Sequence, residues 1–136
     1  MEGQSCKVVE ARERYEGRQE LSYFSGVAAG SVGAQALCMH LLVIEPGERG
    51  RAHLHEEHET AVYIMSGQVR AWFGEGLCEY VDAEAGNFVY IPAGVPHLPV
   101  NRSGTEPVRA ILARTDPNEQ ESVVLLPELE SLPHLQ

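Results

Sequence analysis

Three histidines carry the chemistry legible in this 136-residue chain. His53 and His55 belong to the stretch Gly47-Glu48-Arg49-Gly50-Arg51-Ala52-His53-Leu54-His55-Glu56-Glu57-His58-Glu59, which runs on to Gly67. In an extended strand residues i and i+2 face the same way, so His53 and His55 form a two-pronged clamp. His97 follows in Gly86-Asn87-Phe88-Val89-Tyr90-Ile91-Pro92-Ala93-Gly94-Val95-Pro96-His97. Pro92 and Pro96 restrict φ and Gly94 permits a tight turn, so this segment reads as a rigid bend that aims His97 at a fixed point. Imidazole nitrogen and carboxylate oxygen are the ordinary ligands of divalent Zn, Mn, Fe, Ni and Cu, and one such transition metal is the expected cofactor. With three or four protein ligands an ion keeps open positions for a substrate enolate and oxygen, or for polarising a carbonyl.

The elements that must position these residues are strands. Leu37 to Ile44 is a near-continuous apolar run, followed by turn residues Pro46, Gly47 and Gly50. Further strands are expected at Thr60–Met65, Gln68–Phe73, Leu77–Val81, Asn87–Ile91, Leu98–Asn101 and Val108–Ala113, with Gly74-Glu75-Gly76 closing a hairpin. Short strands at such regular intervals predict an all-β sandwich or barrel with little helix. The glycine-rich stretch Ser25–Gly33 lacks the spacing of a phosphate-binding loop and reads as an ordinary loop. Asp116-Pro117 reads as the cap and first residue of one helical turn. Val123–Leu126 is apolar enough to need a cover, from its own barrel or from a second copy.

The two histidine-bearing stretches resemble the paired signature motifs of the cupin superfamily. The second matches at Gly86, Pro92, Gly94, His97 and Asn101, and the first at Gly47, His53, His55 and Gly67. The resemblance covers about residues 37 to 114. It implies a double-stranded β-helix, an RmlC-like jelly-roll barrel, with a metal inside. In this reading the chain is one cupin domain over 1–136, with 1–36 an N-terminal extension of strands and loop and 115–136 a tail packing on the barrel or on a dimer partner. The resemblance also implies a homodimer. His53, His55 and His97 would hold the metal. The family's acidic ligand falls seven residues before the closing glycine, where this chain has Thr60. The fourth ligand is then Glu59, turned inward by a bulge, or His58 by strand parity, or water.

Candidates for lining the cavity are His40, Arg51, Tyr63, Trp72, Phe88 and Tyr90, with Arg51 sharing strand parity with the histidine pair. The expected partner is a small organic molecule. Dioxygenase-like oxidation is the favoured reaction class, with metal-assisted isomerisation or lysis behind it. A non-catalytic sensing or storage module, and a metal-free epimerase using the histidines as acid and base, are the rivals.

Composition narrows the field. The formal net charge is −10, from 20 acidic and 10 basic residues, and no basic cluster offers itself to a phosphate backbone. Lys7 is the sole lysine, which argues against Schiff-base chemistry. No Gly-x-Ser-x-Gly frames a serine nucleophile. Cys6, Cys38 and Cys78 form no paired motif, and Cys38 and Cys78 read as buried thiols. Without a secretory pattern or a long apolar run, the expected location is the cytoplasm.

Overall fold

A computed structural model describes residues 5–11, 14–17, 21–118 and 122–136. Its strands are β1 (Arg14–Glu16), β2 (Ser22–Val27), β3 (Cys38–Ile44), β4 (His53–His55), β5 (Thr60–Ser66), β6 (Gln68–Phe73), β7 (Glu79–Glu84), β8 (Phe88–Ile91), β9 (His97–Asn101), β10 (Val108–Arg114) and β11 (Val123–Leu125). One short helix, α1, spans Ala29–Val32. A six-stranded sheet runs β1-β2-β3-β10-β5-β8 and a five-stranded sheet runs β11-β4-β9-β6-β7. Every ladder is antiparallel. This is the expected jelly roll: from β3 onward the chain crosses from one sheet to the other between successive strands, except at the β6–β7 hairpin. No helix among the described residues is long and apolar enough to cross a membrane.

Period-two alternation divides each strand between core and exterior. Leu42 and Ile44 of β3, Ile64 of β5 and Val108, Ala110 and Leu112 of β10 face inward, against Val69 and Ala83 of the second sheet. Gly67 makes the crossing from β5 to β6. Its φ is +90°, and a Cβ there would come within 2.6 Å of the Pro107 carbonyl oxygen, so glycine is required. Asn101 closes the second motif structurally: its Nδ2 donates to the carbonyls of Ile44, Glu45 and Glu106.

The tail packs on its own barrel. β11 adds to the edge of β4, and Leu126, Leu129, Leu132 and Leu135 cover Ala52, Leu77 and Leu98 on the outer side of the five-stranded sheet. Full burial of residues such as Leu77 and Leu98 contributes about 1.5–3 kcal/mol each. Arg49 donates to the carbonyls of Glu130 and Leu135, and His134 Nε2 donates to Leu77 O at 2.8 Å.

Several local expectations change. Ser25–Val27 completes β2, because Gly26 lets the chain approach β3 closely; a Cβ there would meet Met39 O at 2.5 Å. Leu77 closes a 3-10 turn with φ of +52°, so the returning strand starts at Glu79. Cys78 at that turn is exposed, whereas Cys38 is buried. Asp116 Oδ1 accepts the Asn118 N–H, and the remainder of the helical turn expected after Asp116-Pro117 falls at 119–121. Residues 119–121 lie outside the described residues.

Candidate metal centre

β4 lies between β9 and β11, and this placement builds the site. His53 is the register partner of His97 across the β4–β9 ladder. His55 shares the inward face of β4 two residues on, where β11 holds it opposite Val123. The bend before His97 is tied down as its prolines and glycine suggest: Gly94, with φ of +75°, donates its N–H to His55 O at 2.7 Å. One potential ligand nitrogen from each of His53, His55 and His97 lies within 4.8 Å of the others, and all three residues are buried.

Two of the three rings have a determined tautomer. His53 Nδ1 lies 2.6 Å from Arg51 O, and His97 Nδ1 lies 2.9 Å from Val95 O. A carbonyl only accepts, so each Nδ1 carries the proton and each Nε2 keeps its lone pair. The Nδ1 of His55 is buried without a hydrogen-bond partner among the described residues. Burial drives all three toward the neutral form. It is the main cause that holds His53 well below the usual imidazole range, and that lowers His97 to about 4. For His55 burial also leads, followed by the positive charge of Arg114. Neutral imidazoles with inward lone pairs, one with an orphaned nitrogen, are a donor set that fits a divalent transition ion.

Glu59 and His58 do not join this cluster. The Glu59 side chain is exposed and accepts the Tyr90 hydroxyl at 2.6 Å, which raises the pKa of that phenol. His58 Nε2 faces Asp116 Oδ2 at 3.8 Å, outside the barrel cavity. The inward position next to Glu59 belongs to Thr60, 2% exposed, whose Oγ1 accepts Arg114 Nε at 3.0 Å. The start of β5, Thr60 to Ile64, thus keeps regular register with β10, and the irregularity of this ladder lies at the other end of the strand, around Met65.

The cavity beside the histidines holds about 70 Å³. Its walls are largely aliphatic, with Val62, Val69, Ala71 and Val89 among them, and Tyr23, Thr60 and Arg114 bring polar groups beyond the histidines. The aromatic candidates stand outside. Tyr63, Phe88 and Tyr90 occupy the outer face of the six-stranded sheet, and Trp72 packs under the tail. Their neighbours of opposite parity, Val62, Val89, Ile91 and Ala71, take the interior. Arg51 sends its guanidinium to Glu130, 3.2 Å away, and its carbonyl accepts from His53 Nδ1. His40 is buried against Tyr23, ring centroids 5.1 Å apart, and burial followed by Arg114 lowers it to about 3. Arg114 was not among the sequence candidates. The signal was available: Arg109 and Arg114 have opposite parity on one strand, so one of the two must point inward.

The cupin domain family profile matches residues 40–114, more than half of the sequence. The chain belongs to the cupin family. No curated protein matches the sequence. Among solved structures, this cupin is similar to the polyketide cyclase RemF from Streptomyces resistomycificus (TM-score 0.73, 20% identity, 90% of this chain and 86% of that one). It is also similar to oxalate decarboxylase from Bacillus subtilis, with TM-score 0.70 and 20% identity over 85% of this chain and 30% of the decarboxylase. A double-stranded β-helix protein from Klebsiella pneumoniae matches with TM-score 0.61 and 16% identity over 76% of this chain and 83% of that one. At these identities the likeness is one of fold.

Proposed function

We propose that this cupin is a metal-dependent enzyme acting on a small organic molecule, with dioxygenase-like oxidation as its reaction class. The observation that carries the reading is the convergence of three buried neutral imidazoles, His53, His55 and His97, on an apolar cavity. A divalent ion held by His53, His55 and His97 would supply a Lewis-acidic centre for an ionisable substrate oxygen and, if iron or manganese, a redox centre through which electrons pass from the substrate to dioxygen. Three uncharged ligands leave the full charge of such an ion uncompensated, which favours an enolate or another anionic oxygen. The aliphatic walls exclude water and hold the substrate body, while the hydrogen bonds to Arg51 O and Val95 O fix the rings of His53 and His97. Histidines depressed this far are weak general bases near neutral pH, which disfavours the metal-free epimerase reading.

Metal analysis of the untagged protein beside a His53→Ala variant tests this. Near-stoichiometric iron or manganese, lost in the variant and accompanied by substrate-dependent oxygen uptake, supports the reading. Zinc alone redirects it to isomerisation or lysis. Absence of metal, with no thermal stabilisation on adding divalent ions, overturns it.

The same reading includes a homodimer through the outer face of the six-stranded sheet. The tail covers the outer face of the other sheet, but this one carries a cross-strand row, Phe24–Leu41–Ile111–Tyr63–Phe88, in continuous register. Phe88 is 79% exposed, with Met39, Met65 and Tyr90 exposed beside the row. In a chain of net charge −10 the outward positions of β3, β5, β8 and β10 hold no acid and a single base, Arg109, so this face is far more apolar than the rest of the surface.

A further inference from the structure

The peptide between Arg51 and Ala52 is engaged on both sides. Its carbonyl oxygen accepts the Nδ1–H of His53 at 2.6 Å, and its N–H donates to Glu130 Oε1 at 3.2 Å. The same Oε1 accepts Arg51 Nε at 3.2 Å, which holds the carboxylate in place. The next carbonyl, Ala52 O, accepts the Leu126 N–H at 2.9 Å. The C-terminal tail therefore grips both peptides that flank Ala52, in the segment that leads into β4. Glu130 Oε2 is buried and has no hydrogen-bond partner among the described residues. Burying an oxygen in this way costs stability, and the cover of the outer sheet face comes from the leucines around Glu130. His97 is held differently. Its Nδ1 donates to Val95 O, and the nitrogen of that amide belongs to Pro96, which has no N–H.

We propose that Glu130 is a positioning residue of the metal centre, acting on His53 through the Arg51–Ala52 peptide. This rests on the reading of His53, His55 and His97 as metal ligands. A peptide is planar and conjugated, so an anion on its N–H fixes the direction of its carbonyl and adds negative charge to that oxygen. The Nδ1–H of His53 then donates to a better acceptor, which fixes the ring and makes Nε2 a stronger ligand atom. Through one peptide, Glu130 does what a carboxylate bound directly to a ligating imidazole does. No anion can act on His97 in this way, because its carbonyl belongs to an amide whose nitrogen is a proline's. The tail thereby becomes part of the site, and a ligand at His53 Nε2 and the docking of the Glu130 carboxylate strengthen each other reciprocally.

The test compares Glu130→Ala and Glu130→Gln with the wild-type full-length chain. Proton NMR of the imidazole N–H groups in the metal-stripped protein reads the rings, and chelator competition reads zinc affinity. In Glu130→Ala the His53 Nδ1–H resonance should move upfield as its hydrogen bond weakens, while that of His97 keeps its position, and zinc affinity should fall on the order of tenfold. Glu130→Gln, which can still accept the Ala52 N–H but lacks the charge, should fall between. A general loosening of the barrel would move both ring protons, so the His97 resonance separates positioning from a purely structural role. An unmoved His53 resonance, equal displacement of both, or wild-type zinc affinity in a folded Glu130→Ala protein overturns the proposal. If Glu130→Ala does not fold, Glu130→Gln decides by the same two readouts. The metal-stripped arm keeps the two readings apart. Selective movement of His53 in a protein whose wild type takes up no zinc leaves the link from Glu130 to His53 standing and the metal reading failed; zinc uptake indifferent to Glu130 does the reverse.

Discussion

His53 faces His97 across the ladder between β4 and β9, with ring centroids 4.1 Å apart and each Nδ1 bound to a backbone carbonyl two residues upstream. The register that pairs these backbones also brings the lone-pair nitrogens together, and the carbonyls of Arg51 and Val95, in the segments leading into β4 and β9, fix the rings. The tail reinforces this clamp, because β11 pairs with the other edge of β4.

Removing one prong should therefore empty the site without unfolding the barrel. His97→Ala is expected to lower divalent-metal affinity by at least about 100-fold, measured by chelator competition. Glu59→Gln and His58→Ala should leave metal content unchanged, because neither side chain reaches the cluster. A loss of metal in Glu59→Gln would show that β5 bulges to bring that carboxylate inward.

Stability of the metal-free protein should fall as pH drops below about 6.5. His97 and His40 have folded pKa values lowered to about 4 and about 3 from 6.5, so the unfolded chain binds protons first. Their neutral burial is tolerated fully above 6.5, and the unfolded state gains on the folded one as pH falls from 6.5 toward 4. Each such histidine adds a slope approaching about 1.4 kcal/mol per pH unit inside that window. Urea midpoints at pH 7.5, 6.0 and 5.0 measure it. His40→Gln should flatten the dependence, and an unchanged slope would remove His40 from the account.

Thr60→Val should destabilise the protein by about 1–3 kcal/mol, since the valine methyl leaves Arg114 Nε without its acceptor in a buried place. Thr60→Ser keeps the hydroxyl and should recover most of that loss. Denaturation curves of the two variants side by side distinguish a lost hydrogen bond from a change of volume.

Phe88→Asp should convert a dimer to a monomer, read by light scattering after size-exclusion chromatography. Phe88 is largely exposed in one copy, so the barrel itself should keep its melting behaviour apart from the lost association. A wild-type monomer at micromolar concentration would refute the proposed interface.

Much of this architecture follows from local pattern. Alternation in Gln68–Phe73, the glycine turn after it and the i, i+2 spacing of His53 and His55 depend on neighbours in the chain, and the structure reproduces them. The proline-glycine bend before His97 is equally local. Strands apolar at both parities were not legible in this way. In Phe88-Val89-Tyr90-Ile91 either set of alternate residues suits a core, and the aromatic pair was the natural choice for a pocket. In this strand Val89 and Ile91 take the interior and the rings of Phe88 and Tyr90 stay outside.

Residue type and strand periodicity, which act between neighbours in the chain, are enough to pick out His53, His55 and His97 and to put the first two on one face, while leaving Glu59, His58 and water open as a fourth ligand. The surroundings of these histidines come from packing between distant segments: Thr60 and Arg114 inside, Glu59 on the surface with Tyr90, and Tyr63, Phe88 and Tyr90 on the outer face of the six-stranded sheet. Those outcomes depend on the register of β10 against β5 and on the volume left between two sheets. Both arise from contacts far apart in the chain, which no single segment encodes.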